Sequence, residues 1–302
     1  NSSEQSKNYD ASSIYKYSTI TEVRKHFDVI ELASFVGRKG DLLDLSKELN
    51  IKPRILTSAL SEGRIKKLLP TITKSRAGIL NVLKTEREIK NFQAQYDLNS
   101  ISARKLRTLI QNWNNHLQKF PLNLLTLQEH EFLIGTLLGD SNIKQRDKNC
   151  SYRVSHSVEQ ANYFFLKLKL LNQFPIGDFR RTKKEIKGHP IDSFDFATKT
   201  HSVFNYYRKL FYKDGTKVVT NKILNMLTPY GLAFWICDDG SYCNSGEYII
   251  LCTNSYTQEE HELMKKYFNK KWKLDPTIGF RDGKYYYLRF KKANTQTLIT
   301  IL

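Results

Sequence analysis

Glu131-Phe132-Leu133-Ile134-Gly135-Thr136-Leu137-Leu138-Gly139-Asp140-Ser141 and, 99 residues later, Tyr230-Gly231-Leu232-Ala233-Phe234-Trp235-Ile236-Cys237-Asp238-Asp239-Gly240 are two versions of one segment. Each reads as an apolar helix that stops at an acidic residue and a turn. The chain downstream of each segment is also alike. A strand pair comes first, then a helix expected over 158–174 in one copy and 257–272 in the other. Two more strands come next, over 177–186 with 191–198, and over 276–281 with 284–290. A further helix starts at Thr200 and at Asn294. Strand runs grouped between helices, in duplicate, predict an α+β fold with pseudo-twofold symmetry. Residues 127–302 are expected to form this domain, with repeats over 127–226 and 227–302. Residues 1–126 read differently. Residues 1–15 are a polar, Ser-rich tail, and apolar residues then recur at helical spacing, as in Val29, Leu32, Ala33 and Val36. Pro121 interrupts that pattern, so a mainly helical domain is expected to end near 120–126.

The chain carries 48 Lys and Arg against 30 Asp and Glu, a net charge of +18. Residues 1–126 contribute +9 and residues 127–302 another +9. The charge is therefore no single basic tail, and both halves suit a polyanionic partner. Hydrophobic residues make up 40% and aromatics 12%, which excludes wholesale disorder. No apolar run reaches the length of a membrane span. Cys150, Cys237, Cys243 and Cys252 form no Cys-x-x-Cys pair, which excludes a disulfide framework and points to a reducing compartment. Cys237 and Cys243 lack the neighbours of a zinc site and read as packing residues. Abundant Lys, Asn, Ile and Tyr fit an AT-rich genome, as in organelles. The chain opens on Asn1 without an initiator Met, so a removed targeting segment stays open.

Gly135 and Gly139 lie one helical turn apart, as do Ala233 and Cys237. Small residues at that spacing let two helix backbones approach closely. Parallel packing would bring Asp140 and Asp239 side by side at two negative helix ends, which is unfavourable without a cation between them. Oxygen ligands without Cys or His favour Mg²⁺ or Ca²⁺ over zinc. Under a basic surface, that cation points to phosphodiester hydrolysis.

At Leu133–Ser141 and Leu232–Gly240 the chain resembles the LAGLIDADG homing endonucleases. The second copy keeps Leu232, Ala233, Ile236, Asp239 and Gly240. The first keeps Gly135 and Asp140 but ends on Ser141. Leu227-Thr228-Pro229 before the second copy is similar to the single-chain, two-motif members of yeast mitochondrial introns. The resemblance covers about 127–302. It implies a saddle of two α-β-β-α-β-β-α repeats, in a monomer, lying along the major groove of double-stranded DNA. It implies catalytic and metal roles for Asp140 and Asp239, with the carbonyls of Gly139 and Asp238 helping to ligate the metals. Mg²⁺ is the implied cofactor, with Mn²⁺ or Ca²⁺ able to substitute in binding. Lys217 matches the lysine that lies near the attacking water. Its counterpart in the second repeat would come after the last helix, beyond Leu302. The implied home is the matrix of a mitochondrion or another organelle.

The repeat strands alternate polar and basic residues. Asn142, Lys144, Arg146, Arg153, Arg180, Arg181, Lys183 and Lys184 in the first copy are candidates for nucleic-acid contact. Tyr242, Arg281, Lys284 and Arg289 are the matching set in the second. Tyr152, Ser155, Ser241, Asn244, Tyr286 and Lys291 fill out the two sets. In the N-terminal domain, 42–65 reads as helix, turn, helix, with Leu45, Leu49, Ile51, Leu56 and Leu60 as its core. Arg54, Ser58 and Arg64 would then face nucleic acid. A looser basic helix carries Arg104, Lys105 and Arg107. The same residues also read as the solvated face of an ordinary bundle. Two functions stay open on the sequence. One is a Mg²⁺-dependent endonuclease of double-stranded DNA. The other is a non-cleaving scaffold that grips structured intron or ribosomal RNA, as an intron maturase or RNA-associated factor. A DNA-binding regulator without cleavage is a third, but nothing in it requires two acidic helix ends.

Overall fold

The computed structural model describes residues 15–34, 39–186 and 189–302. The expected tail over 1–15 lies almost wholly outside these residues, as does Val36. The described chain forms two compact units that divide between Asn112 and Trp113.

The first unit is helical: α1 (Ile20–His26), α2 (Val29–Ser34), α3 (Lys39–Glu48), α4 (Pro53–Leu68), α5 (Lys74–Leu80), α6 (Glu86–Gln95) and the start of α7 (Ala103–Leu117). Thr19 caps α1 in a reciprocal box with Glu22, and Thr85 caps α6. Pro53 opens α4, where its missing N–H costs nothing. Val23, Val29, Leu32, Ile51, Leu56 and Ala59 form a buried cluster, joined by Leu45, Leu49 and Leu60. Over 42–65, α3 and α4 are joined by a short connection. Arg54 is exposed. Arg64 is not a surface contact. Its guanidinium donates to Leu83 O at 2.7 Å, Lys84 O at 3.2 Å and Asn81 Oδ1 at 3.2 Å. Burial pushes its pKa down. It ties α4 to the loop before α6 because three carbonyl-type acceptors surround it.

The second unit begins inside α7, ahead of the 120–126 boundary. Asn114 in that helix accepts from the Ser202 hydroxyl at 3.4 Å, and Trp113 and Leu117 are buried. Then come α8 (Leu127–Leu138), β1 (Asn142–Arg146), β2 (Asn149–Ser157), α9 (Ala161–Leu170), β3 (Ile176–Ile186), β4 (His189–Thr198) and α10 (Val203–Phe211). A small hairpin, β5 (Tyr212–Lys213) with β6 (Thr216–Lys217), leads through α11 (Asn221–Asn225) into the second repeat. That repeat holds α12 (Pro229–Asp239), β7 (Gly240–Cys243), β8 (Tyr248–Leu251), α13 (Gln258–Trp272), β9 (Thr277–Arg281), β10 (Tyr285–Phe290) and α14 (Lys292–Ile301). Two antiparallel sheets result, ordered β1-β2-β4-β3 and β7-β8-β10-β9. The identical order in both halves is the α+β repeat expected from the sequence. Thr126, Thr228 and Thr257 cap α8, α12 and α13 by accepting a backbone N–H.

α8 and α12 are apolar on nearly all sides because each is buried by its neighbour and by a sheet. They run in the same direction. Gln128 donates to Tyr230 Oη at 3.1 Å near their starts, Phe132 and Phe234 meet edge-on in the middle, and the Asp140 N–H reaches Asp238 at the ends. The closest approach differs from expectation. A Cβ on Gly135 would lie 2.0 Å from Gly231 O. The small partner is Gly231, two residues before Ala233 and six before Cys237. Cys237 faces solvent instead.

Candidate metal and nucleic-acid site

The ends of α8 and α12 converge with β6. Asp140 sits just past α8, its side chain partly exposed and partly covered. Asp239 ends α12, and its Oδ2 accepts from Trp235 Nε1 at 3.1 Å. Burial, then the Asp140 and Asp238 charges, push the Asp239 carboxyl up to about 7. Burial and the Asp238 charge also raise Asp140. Lys217 reaches in from β6. Its Nζ donates to Gly139 O at 2.8 Å and Ser141 O at 2.9 Å. Burial brings its pKa down to about 8, against the pull of the three aspartates. The structure therefore gathers Asp140, Asp239, Lys217 and the Gly139 carbonyl, and that carbonyl already accepts from Lys217.

The sequence assigns Asp238 a role through its backbone carbonyl; its side chain has another. Its carboxylate is wholly buried. Oδ1 accepts from Lys167 Nζ at 2.5 Å and Tyr163 Oη at 2.7 Å, and Oδ2 from the Asp140 N–H at 3.2 Å. Beside it, His156 Nε2 is buried without a hydrogen-bond partner, 4.0 Å from Asp238 Oδ1. His156 Nδ1 lies 3.1 Å from Gln160 Oε1 and 3.9 Å from Asp140 Oδ2. Asp140, His156 and Asp238 each offer an atom within 4.8 Å of the others. Sequence reading missed Lys167, Tyr163 and His156. The available signal was a lysine on the inner stripe of α9, three residues after buried Phe164 and four before buried Leu171.

These donors fit a divalent cation. Two carboxylates shifted toward their protonated forms by burial and mutual repulsion are relieved by positive charge. Oxygen donors suit Mg²⁺, Mn²⁺ or Ca²⁺. The same shifts make stability depend on pH. The folded Asp239 holds its proton up to about pH 7, whereas an ordinary carboxyl releases it near 3.8. The folded state binds the extra proton between these values, so the Asp239 contribution to stability of the metal-free chain falls as pH rises from 4 to 7. Lys217 acts in the opposite sense above pH 8, because the unfolded lysine holds its proton to 10.5. In urea denaturation with a chelator across pH 4–7, the unaltered chain is expected to lose stability relative to Asp239→Asn as pH rises. Equal slopes for both proteins would refute the assignment.

The strand residues separate by parity. Asn142, Lys144, Arg146 and Arg153 project from the face turned away from the core. Ser155, Arg180 and Lys184 join them through the register of β2, β4 and β3. Arg181 and Lys183 do not. They lie on the opposite face, where Arg181 donates to both Asp192 oxygens at 2.8 and 2.6 Å, with Lys183 3.8 Å from the same carboxylate. Tyr152, on that inner face, is fully buried. In the second sheet Arg281 and Arg289 share the outer face, and Arg289 lies 3.9 Å over the Tyr248 ring. Lys284 is in the adjoining turn. Tyr242 is on the other face, since it pairs with Ile249 rather than with a residue of the Arg289 set. Successive strand residues face opposite ways, so a run of basic residues cannot all meet one ligand.

No helix among the described residues is long and apolar enough to cross a membrane. Residues 130–298 match the model of the LAGLIDADG DNA endonuclease family. The DNA endonuclease I-ChuI of Chlamydomonas applanata is 28% identical over 173 residues, covering 51% of this chain and 77% of that protein. The cytochrome b mRNA maturase bI2 of Saccharomyces cerevisiae is 25% identical over 200 residues, covering 62% of this chain and 44% of the maturase. The solved homing endonuclease I-WcaI, bound to its DNA recognition sequence, matches with a TM-score of 0.55 and 20% identity. The match covers 64% of this chain and 86% of that one.

Proposed function

The chain belongs to the LAGLIDADG DNA endonuclease family, and from that premise we propose that it is a site-specific endonuclease of double-stranded DNA, acting as a monomer in an organelle. The observation that carries this reading is the meeting of Asp140 and Asp239 at two abutting helix ends, with the Lys217 ammonium between strand and seam. Asp140 and Asp239 hold the divalent cations, with Mg²⁺ as the working metal and Mn²⁺ or Ca²⁺ as substitutes in binding. When bound there, such ions supply activation of the nucleophile and stabilisation of the leaving oxygen. Lys217 spends two of its N–H donors on Gly139 O and Ser141 O, which fixes its position. The third N–H remains for water or phosphate. Arg153, Arg180, Arg281 and Arg289, with Asn142, Lys144, Arg146, Lys184 and Lys284, meet the duplex from the outer strand faces. Arg54 adds a contact from the helical unit.

A second reading is favoured by the maturase similarity. In it the strand faces grip structured intron RNA, and the helical unit, outside the family match, adds contacts. The test is to crosslink the protein in its host and sequence the bound nucleic acid, with DNase and RNase controls. Enrichment of one DNA locus, nicked by the protein only with Mg²⁺, is the expected result. Enrichment of intron or ribosomal RNA, with no nicking, would overturn the endonuclease reading in favour of the second.

A further inference from the structure

We propose that Asp238 is a positioning residue that sets the metal ligand Asp140 from across the helix seam, and that Lys167 and Tyr163 lock it there. The inference rests on the metal-site reading above. Asp140 comes just after α8, yet the group that holds its backbone N–H belongs to α12. That acceptor, Asp238 Oδ2, cannot swing away. Its other oxygen is fixed by the Lys167 ammonium at 2.5 Å and the Tyr163 hydroxyl at 2.7 Å, both from α9. Tyr163 Oη also lies 3.2 Å from Phe234 O, tying α9 to the body of α12. The Asp238 and Lys167 side chains are both fully buried, so the pair is neither screened nor free to exchange partners with water. Gly139 completes the arrangement. A Cβ there would lie 2.5 Å from Asp238 Cβ and 2.8 Å from Asp238 Oδ2, so only glycine leaves room for the crossing carboxylate.

Three bonds thus engage both oxygens of the carboxylate, and through it the Asp238 side chain serves the frame around Asp140. Among the described residues no side chain of the other repeat holds the Asp239 N–H, and its carboxylate accepts from Trp235 of its own helix. The two halves of the site are built differently, and the Asp140 half depends on residues of both repeats.

Removing one member of a buried pair strands the other charge, so the test uses neutral double variants. In Asp238→Asn with Lys167→Met, the amide oxygen still accepts from the Asp140 N–H. In Asp238→Ala with Lys167→Met, no acceptor remains. Amide hydrogen exchange at Asp140 reads the lock, and Mn²⁺ titration followed by electron paramagnetic resonance reads its consequence. The Ala/Met protein is expected to exchange the Asp140 amide at least tenfold faster than the Asn/Met protein. It is also expected to bind Mn²⁺ about 10–100-fold more weakly, the usual effect of losing a ligand's support. Equal exchange in the two doubles would overturn the lock. Faster exchange with equal Mn²⁺ affinity would overturn the positioning role alone. If the unaltered protein shows the protected amide but binds no Mn²⁺, the metal reading fails and the positioning role fails with it.

Discussion

Asp239→Asn is expected to lower DNA nicking by roughly a thousandfold or more, as when one member of a catalytic constellation is removed, while leaving duplex affinity nearly unchanged. Asn keeps the size of the side chain and an oxygen for the Trp235 N–H. It removes the charge that, on the proposed function, would hold a cation. Burial and two neighbouring carboxylates already push Asp239 toward its neutral form, so the metal-free variant is expected to be at least as stable as the unaltered chain. That separates loss of chemistry from loss of fold. Asp140→Asn is expected to act in the same way. The measurement is single-turnover nicking with Mg²⁺ beside a binding titration with Ca²⁺. Turnover within tenfold of the unaltered protein, for either variant, would remove that aspartate from the chemistry.

Gly135→Val is expected to cost at least about 3 kcal/mol, at or beyond the upper range for overpacking a core. The added Cβ would lie 2.0 Å from Gly231 O, 2.7 Å from Gly231 C and 3.0 Å from Gly231 Cα. A Cβ is fixed by its own backbone, so no rotamer relieves the contact. The helices must separate, and the seam carries Phe132, Phe234 and the Asp140–Asp238 bond with it. In a chain of this size the melting temperature is expected to fall by roughly 6–12 °C. A fall under about 2 °C would mean that the helices tolerate a wider gap than the backbone contact implies.

The fold was legible because its signals repeat. Two apolar segments 99 residues apart, each ending on an acid and each leading into the same strand and helix order, define both repeats and their sheets. The strand parity was legible too, yet Arg181 and Lys183 were grouped with Arg180 and Lys184 by charge alone. Arg64 misled for a related reason: a cation on a helix looks solvent-facing until the acceptors around it, Leu83 O, Lys84 O and Asn81 Oδ1, are located. The closest helix contact was misplaced by two residues. Small residues recur along α12, and only the rotation and height of one helix against the other select Gly231 over Ala233. Lys167 and Tyr163 were invisible because their partner, Asp238, lies 71 and 75 residues away in sequence.

The unlike neighbours of the two acids have an evolutionary and engineering consequence. A twofold homodimer would present the same residue before each acid: glycine on both sides leaves no crossing carboxylate, and aspartate on both sides places one where the other needs glycine. Joining the copies in one polypeptide lets the two positions diverge as a complementary pair. Once they have diverged, the halves are no longer interchangeable parts. A chimera that takes residues 127–226 from a relative inherits a working seam only if the donor brings glycine, lysine and tyrosine at the positions of Gly139, Lys167 and Tyr163.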